Sequence, residues 1–216
     1  MNKDAYIVAA GDFYETELHI DKEALIIAVD GGYDTLKSIN ITPHYVVGDM
    51  DSVAVSVENE NCVKLEPVKD ETDTWHAIAF AKEKGCNRIF LYGATGGKRI
   101  SHMLANVQLL KGFADKEIYM FDREECMFLL RNGTVTFPKE CVGYLSVLSV
   151  SEKSHGVTEK NLKYEVENVT LRSDFPLGVS NEFVGKEAEI TVKNGDLLLV
   201  FDKNNLEKFL KNVKEM

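Results

Sequence analysis

Residues 88–113 read RIFLYGATGGKRISHMLANVQLLKGF and contain three patterns in succession. The run Arg88–Tyr92 has the length and the apolar, aromatic content of a buried strand. The glycine-rich stretch Gly93–Arg99 follows, and His102–Phe113 then repeats apolar residues at helical spacing. The order of strand, glycine loop and helix predicts one repeating unit of an α/β fold.

Four other short apolar runs flank this unit and are close to continuously apolar. They are Ala5–Ala10, Leu25–Val29, Tyr45–Val47 and Glu117–Phe121. Such strands are typical of a parallel sheet with helices on both faces. A helix is predicted over Thr72–Lys84, with Asp70 or Thr72 as its N-cap and Gly85 after its end. We therefore expect residues 1–130 to form an α/β domain with a mostly parallel, Rossmann-like sheet in three layers.

After about residue 130 the hydrophobic period becomes two, which is the period of half-buried strands. The predicted strands are Thr134–Phe137, Gly143–Val150, Gly156–Thr158, Tyr164–Val166, Thr170–Leu171, Ala188–Val192 and Leu197–Phe201. Asn132-Gly133 and Asn194-Gly195 are typical of hairpin turns. Residues 131–216 are therefore expected to form an all-β sandwich, and Asn204–Lys214 a short amphipathic helix at its end.

The composition narrows the class of protein. The 216 residues carry 25 Lys and Arg against 35 Asp and Glu, a net charge of −10, and no basic stripe, which disfavours nucleic acid as a partner. The longest apolar runs, Ala24–Val29 and Leu197–Phe201, fall far below the ~20 residues of a membrane span. The four cysteines form no CxxC pair and the N-terminus is too polar for a signal peptide, so we expect a cytoplasmic protein with reduced thiols.

Acidic residues follow two of the predicted strands, at the position where open α/β sheets bind ligands. Asp30 follows Leu25–Val29, and Asp49 and Asp51 follow Tyr45–Val47. Carboxylates two residues apart at a strand end point the same way and can share a hard divalent cation, for which Mg²⁺ is the natural choice. Turn and capping hydrogen bonds remain the alternative explanation.

Asp70 and Asp73 stand three residues apart at the start of the predicted helix and therefore share one face. Either can join the same acidic cluster. Acidic residues are also favoured in a first helical turn for capping and dipole reasons alone.

The glycine-rich stretch offers backbone amides and the cations Lys98 and Arg99, a combination that suits a polyphosphate. It is no Walker A loop, because three residues instead of four separate Gly93 from Gly97-Lys98, and Arg99 stands where Ser or Thr is required. An ordinary strand-to-helix turn with solvated charges is the alternative. His102 and Asn106 are four residues apart and can face the same cleft.

The motifs taken together resemble those of thiamine pyrophosphokinases. The matching segments are VDGG at Val29–Gly32, VVGDMDSV at Val46–Val53, KDETDTWHAI at Lys69–Ile78, GATGGKRISHMLANVQLL at Gly93–Leu110, LKYEVEN at Leu162–Asn168 and LGVSNEF at Leu177–Phe183. The resemblance implies a homodimer with a nucleotide-binding catalytic domain at 1–130 and a thiamine-binding, dimer-forming β-sandwich at 131–216. It also implies Mg²⁺-dependent transfer of the pyrophosphoryl group of ATP to the thiamine hydroxyl, which gives AMP and thiamine diphosphate.

The resemblance further assigns roles to individual residues. Mg²⁺ would be held by Asp49, Asp51 and Asp73, with Asp70 completing the acidic cluster. The nucleotide and its phosphates would be surrounded by Asp30, Gly31, Gly32, Thr95, Gly96, Gly97, Lys98 and Arg99, with Arg99 also in a catalytic role. Ser180 and Asn181 would meet the pyrimidine ring of thiamine across the dimer interface.

The chain departs from the family pattern at one position. Ser101, a further candidate for substrate binding, stands before His102 where the family commonly has Asp. Because serine binds metal weakly and accepts no proton at neutral pH, the catalytic candidate His102, or Asp70 or Asp73, would have to compensate.

Two other functions fit parts of the pattern. An apolar strand that ends in Asp-x-Asp, as Tyr45–Asp51 does, also opens haloacid-dehalogenase-type phosphohydrolases, in which Asp49 would be the nucleophile. That interpretation leaves the glycine loop and its cations unexplained, and no convincing acidic pair of such an enzyme follows a later strand. The serine at position 101 leaves open a catalytically weakened protein that only binds nucleotide or thiamine.

Overall fold

The computed structural model describes residues 3–16, 18, 20–48, 62–64 and 70–215. Backbone contacts divide the chain into two compact units, Met1–Arg123 and Glu124–Met216. None of the helices in the described part of the chain is long and apolar enough to cross a membrane.

The first unit alternates strands and helices. Its elements are β1 (Lys3–Val8), β2 (Leu25–Val29), α1 (Gly32–Ser38), β3 (Tyr45–Gly48), β4 (Cys62–Lys64), α2 (Asp73–Glu83), β5 (Cys86–Tyr92), α3 (Ile100–Gly112) and β6 (Glu117–Phe121). The strands lie in the order β6-β5-β1-β2-β3-β4, and each neighbouring pair is parallel. The five predicted strands and both predicted helices are confirmed to within a few residues, whereas α1 and β4 were not predicted.

Burial explains why the apolar runs become strands. Ile7 of β1 lies between Ile27 of β2 and Leu91 of β5, and all three side chains are fully buried. On the helix α2, Ala77 and Ile78 are likewise fully buried. Because the strands are parallel, their carboxyl ends meet at one edge, and the loops that follow them converge there.

The second unit is built from antiparallel strands. Its elements are β7 (Glu125–Phe137), β8 (Tyr144–Ser149), β9 (Lys153–Lys160), β10 (Val166–Arg172), β11 (Gly178–Glu182), β12 (Ala188–Asp202), a 3₁₀ turn (Lys203–Asn205) and α4 (Leu206–Glu215). Strand β12 pairs with β7, β8 and β9, while β9 also pairs with β10, and β8 with β11. The predicted C-terminal helix is confirmed; its Phe209 packs against Phe137, with 4.8 Å between ring centroids.

Strand pairing is therefore parallel in the first unit and antiparallel in the second. The strands of the chain are mixed in direction rather than mostly parallel, which corrects the expected description. The physical reason is the length of the connections: the short turns after residue 124 can join only antiparallel neighbours, whereas parallel strands need a long crossover.

The two Asn-Gly sequences lie inside β7 and β12, so the prediction of hairpin turns at these positions was wrong. Asn132 and Gly195 have φ angles of 45° and 129°, and the Gly195 N–H donates to Asn132 Oδ1 at 2.9 Å. The register of the two strands shifts between Val192 and Asp196. Asn-Gly favours positive φ, and this strand irregularity, which has positive φ at Asn132 and Gly195, uses that preference as a hairpin turn does.

Candidate active site

A cleft of about 170 Å³ lies in the first unit, beside the carboxyl ends of β1, β2 and β5 and the first turns of α2 and α3. Its lining consists of Ala9, Ala10, Gly11, Val29, Asp30, Thr72, Asp73, Thr74, Gly93, Ala94, Thr95, Gly96, Gly97, Lys98, Arg99, His102, Met103 and Asn106. Parallel sheets bind ligands at this edge. The position of the cleft follows directly from the topology.

The cleft brings together most of the site residues predicted in the first unit. They are Asp30, Asp73, Thr95, Gly96, Gly97, Lys98, Arg99 and His102. Gly31, Gly32, Asp70 and Ser101 are described but are not among its lining residues. Asp49 and Asp51 lie outside the described residues, and Ser180 and Asn181 belong to the second unit.

Two of the predicted glycines serve the backbone. Gly31 occupies the N-cap position of α1. A Cβ on Gly32 would stand 1.9 Å from the Val8 carbonyl oxygen, so glycine allows α1 to pack closely on β1. Gly32 thus contributes to the site by allowing α1 to approach β1.

The glycine-rich loop after β5 is fixed by its own carbonyl groups. Gly11 N donates to Gly93 O at 2.7 Å, Asn106 Nδ2 to Ala94 O at 2.8 Å, and Asp12 N to Thr95 O at 3.1 Å. Three consecutive carbonyl oxygens are thus held by other parts of the unit. Oxygens tied back in this way present less negative potential to an anion at the loop.

Close backbone contact explains why glycines stand in both facing loops. A Cβ on Gly11 would lie 2.4 Å from Gly93 O, and one on Gly93 would lie 2.3 Å from Ala9 O. Gly96 and Gly97 have φ angles of 61° and 72°, which side chains rarely adopt. Gly11 was missed by the sequence analysis, although Gly11-Asp12 follows the first predicted strand as Asp30-Gly31 follows the second, which was the available signal.

The hydroxyl of Thr95 is a structural anchor. It donates to Asp122 Oδ1 at 2.8 Å, and the residue is only 3% exposed. Any contact of Thr95 with a ligand in the cleft is therefore left to its backbone. Asn106 plays a similar anchoring part from α3, through its bond to Ala94 O.

The charges of the cleft are of both signs. Asp30, with φ 47°, follows β2, and its carboxylate lies against the Cα of Gly48, where a Cβ would meet Oδ1 at 1.8 Å. Asp73 is in the first turn of α2, whose N-cap Thr72 accepts a hydrogen bond from Trp75 N at 3.2 Å. Lys98 and Arg99 are exposed on the glycine-loop side. Such an arrangement can balance a cation and a polyphosphate at once.

Both residues at the start of α3 that were considered for proton transfer or substrate binding are exposed. Ser101 Oγ and His102 Nδ1 are 3.5 Å apart. Only His102 lines the cleft. Helix α3 has no acidic residue in its first turn and no side-chain N-cap.

The described residues of the cleft offer carboxylate oxygens to a divalent cation. Within the described ranges, no group of three or more His, Cys, Asp or Glu side chains is arranged to hold a metal ion. Asp30 and Asp73 nevertheless share the cleft, and Mg²⁺ commonly takes one or two carboxylates together with water and substrate phosphates. Carboxylate oxygens of this kind fit the ion.

In the second unit, Asn181 is buried and its side-chain amide is fully used. Nδ2 donates to Glu159 Oε2 at 2.9 Å and to Tyr164 O at 2.7 Å. Oδ1 accepts from Tyr164 N at 3.0 Å and from Glu182 N at 2.9 Å. Ser180, beside it, is exposed and has a φ of 59°. Of the two predicted residues, Ser180 is thus the one that presents its side chain to solvent.

Comparison with known proteins gives two family matches along the chain. Residues 16–121 match the model of the thiamin pyrophosphokinase catalytic domain. Residues 133–198 match the model of the thiamin pyrophosphokinase vitamin B1 binding domain. The two matches fall on the two compact units in turn.

Individual proteins give the same result. A thiamine pyrophosphokinase of Bacillus subtilis is 31% identical over 192 residues, which is 84% of this chain and 89% of the relative. The crystal structure of the Bacillus subtilis thiamine pyrophosphokinase superposes with a TM-score of 0.81 and covers 93% of this chain and 99% of that one. The Geobacillus thermodenitrificans structure, 27% identical, gives a TM-score of 0.83 with 93% and 97% covered.

Proposed function

Because this chain belongs to the thiamine pyrophosphokinase family, we propose that it transfers the pyrophosphoryl group of ATP to the hydroxyl of thiamine. The products are AMP and thiamine diphosphate. One observation carries the proposal: a single cleft collects the two aspartates, the glycine loop and the two cations that a bound triphosphate needs. The phosphohydrolase and the binding-only alternatives are not favoured.

The work of the protein in such a transfer is to hold the reacting groups in line and to offset charge. Lys98 and Arg99 neutralise phosphate oxygens and, in the proposal, the charge that develops on the departing AMP. The glycine loop would set the path of the phosphate chain, since Gly93, Gly96 and Gly97 give it a positive-φ backbone that side chains rarely adopt. His102 lines the same cleft and is the candidate for receiving the hydroxyl proton.

Mg²⁺ is part of the proposal. Asp49, Asp51 and Asp73 would hold the ion, and Asp70 would complete the acidic cluster; of these residues and Asp30, the described lining of the cleft contains Asp30 and Asp73. When bound, Mg²⁺ supplies positive charge that offsets the triphosphate. Carboxylates alone would repel ATP, so the residues of the cleft are suited to the nucleotide only together with a cation.

The proposed division of labour follows the two units. Residues 1–130, as a three-layer Rossmann-like domain, would bind ATP, and residues 131–216, as a β-sandwich, would bind thiamine and form a homodimer. Seven of the ten large exposed apolar residues among the described ones lie in the second unit, which supports dimer formation there. A cytoplasmic location belongs to the same proposal and is supported by the free thiols of Cys86, Cys126 and Cys141.

The test is the identity of the products. The purified chain is incubated with ATP, thiamine and Mg²⁺, and AMP, ADP, phosphate and thiamine diphosphate are separated by chromatography. Equal amounts of AMP and thiamine diphosphate are expected, and both should vanish with a chelator. Release of free phosphate from esters without thiamine diphosphate would support hydrolysis instead, and binding without turnover would refute catalysis.

A further inference from the structure

A buried carboxylate in the second unit takes no part in the chemistry described above. Glu159 lies on β9 and is 3% exposed. No cation among the described residues pairs with it, whereas the other buried carboxylate of this unit, Asp196, is paired with Arg131. The bond that Glu159 accepts comes from Asn181 Nδ2.

Stability does not account for this carboxylate. Burial raises the pKa of Glu159 more strongly than the hydrogen bond from Asn181 lowers it. Burying an ionisable group without an opposite charge costs free energy, and an apolar residue of similar size would avoid that cost. What glutamate has at this position, and an apolar residue lacks, is an oxygen that accepts the bond from Asn181.

Asn181 in turn ties its own strand to the separate segment at Tyr164. Its amide bonds the backbone of Tyr164 twice and the backbone of Glu182 once. Ser180 precedes it at a shift in register between β11 and β8, and the Ser180 N–H donates to Ser146 Oγ at 3.0 Å. A serine with φ near 60° persists only where its surroundings hold it, and such irregularities redirect a side chain out of the strand.

We propose that Glu159 is a positioning residue for the thiamine site. Through the Asn181 amide it holds the Ser180 backbone in its left-handed conformation, which keeps the Ser180 side chain exposed. The inference rests on the proposed function, and it assigns Asn181 a supporting role rather than a direct contact with thiamine. The region matched by the vitamin B1 binding model includes all three residues.

The experiment compares steady-state kinetics of the full-length chain with both substrates varied. Glu159→Leu removes the acceptor and preserves the volume. Loss of a buried bond to a charged group changes binding by about tenfold or more, so the thiamine KM should rise by that factor. The ATP KM should stay within about twofold. Glu159→Gln keeps an oxygen that can accept from Asn181, and it should bring the thiamine KM back to within about threefold of the parent.

Two controls separate positioning from general damage. Glu189→Leu removes a half-buried carboxylate of the neighbouring strand, paired with Lys160, and should leave both KM values in place. Circular dichroism and thermal melting confirm the fold of each variant. In a double-mutant cycle, Glu159→Leu should add little to Asn181→Ala, because Glu159 acts through Asn181.

Should Glu159→Leu fail to fold, Asn181→Asp sets two carboxylates against each other. It should raise the thiamine KM, and Glu159→Gln added to it should relieve part of the defect. The proposal is overturned if folded Glu159→Leu changes both KM values alike or neither, or if Glu159→Gln leaves the Asn181→Asp defect unchanged. A parent chain that neither binds thiamine in calorimetry nor forms thiamine diphosphate rejects the proposed function instead.

Discussion

Two aspartates three residues apart, Asp70 and Asp73, are separated by the structure. Asp73 lines the cleft, whereas Asp70 is exposed and outside its lining. Asp73→Asn should lower turnover about 100-fold or more, because it removes a carboxylate that in the proposal holds Mg²⁺, whose charge offsets that of the transferred group. Asp70→Asn is the matched control, and the factor by which its turnover falls should be at least about tenfold smaller than for Asp73→Asn. Equal losses of AMP formation in the two variants would contradict this assignment.

The raised pKa of Glu159 predicts a pH dependence of stability. The folded state binds this proton more tightly than the unfolded state, whose carboxyl has the ordinary value of 4.5. The stabilising contribution of this proton to the free energy of unfolding is thus fully present below pH 4.5. It is lost as the pH rises through the folded-state pKa. Glu159→Gln should therefore gain melting temperature relative to the parent between pH 4.5 and pH 7.5. A difference that stays constant across that range would count against the buried carboxylate as the cause.

Helix α2 begins at its cap. Thr72 accepts from Trp75 N, and its replacement by Ala should cost about 1 kcal/mol of unfolding free energy in urea titration. Thr72→Ser retains the oxygen and should lose much less. If both variants are equally unstable, the methyl group rather than the cap is responsible.

Helix α3 has a first turn without acidic residues, where a negative charge is favourable. Ser101→Asp should raise the melting temperature by a small amount, worth about 0.3–1 kcal/mol, and should leave activity unchanged or higher. A lower melting temperature or a deep loss of turnover would show that this turn does not accept a carboxylate.

The long pair β7 and β12 depends on the backbone of Gly195. Its φ is 129°, and a Cβ there would stand 2.8 Å from the Ser154 Cα. Gly195→Ala should cost on the order of 1–3 kcal/mol. Gly112→Ala, at the end of α3 with nothing within 4 Å of the added atom, is the control and should be neutral or slightly stabilising. Equal costs would remove the steric argument.

Much of the secondary structure could be predicted because burial and periodicity agree. The run Leu25–Val29 is apolar throughout, and it forms β2 with the predicted bounds. Helix α1 was missed because its first residue is glycine and it has only seven residues. β4 has three residues, Cys62–Lys64, too few for a periodic signal. The Asn-Gly sequences misled because local preference for positive φ does not distinguish a turn from a strand irregularity.

Site residues that belong to a recognisable local pattern could be predicted, whereas roles that depend on bonds to a distant segment could not. Asp30, Asp73 and Lys98 stand out by their chemistry after strands or at helix starts, and all three line the cleft. Gly11 and Asn106 act through bonds to the backbone of Gly93 and Ala94, about 80 and 12 residues away in sequence, respectively. Such hydrogen bonds form only once the strands are in register, so no local sequence pattern predicts them.

At the scale of the molecule, the proposed homodimer predicts a defined mass change. Leu177 and Val179 are 60% and 53% exposed on the second unit. Replacing both by Lys should shift the mass in analytical ultracentrifugation from dimer to monomer, because an apolar contact surface then carries charge. Leu104→Lys, at an exposed site of the first unit, should remain dimeric. A parent chain that sediments as a monomer would end the dimer proposal.

The carbonyls of Gly93, Ala94 and Thr95 are bonded before any nucleotide arrives, and this has a consequence for affinity. Ordering a backbone costs about 1–2 kcal/mol per residue. When a flexible phosphate loop becomes ordered on binding, this cost reduces the free energy gained from its contacts with the ligand. Here that entropy is lost during folding. Nucleotide should accordingly bind to a preformed loop, in a fast step without a subsequent slow rearrangement of this loop.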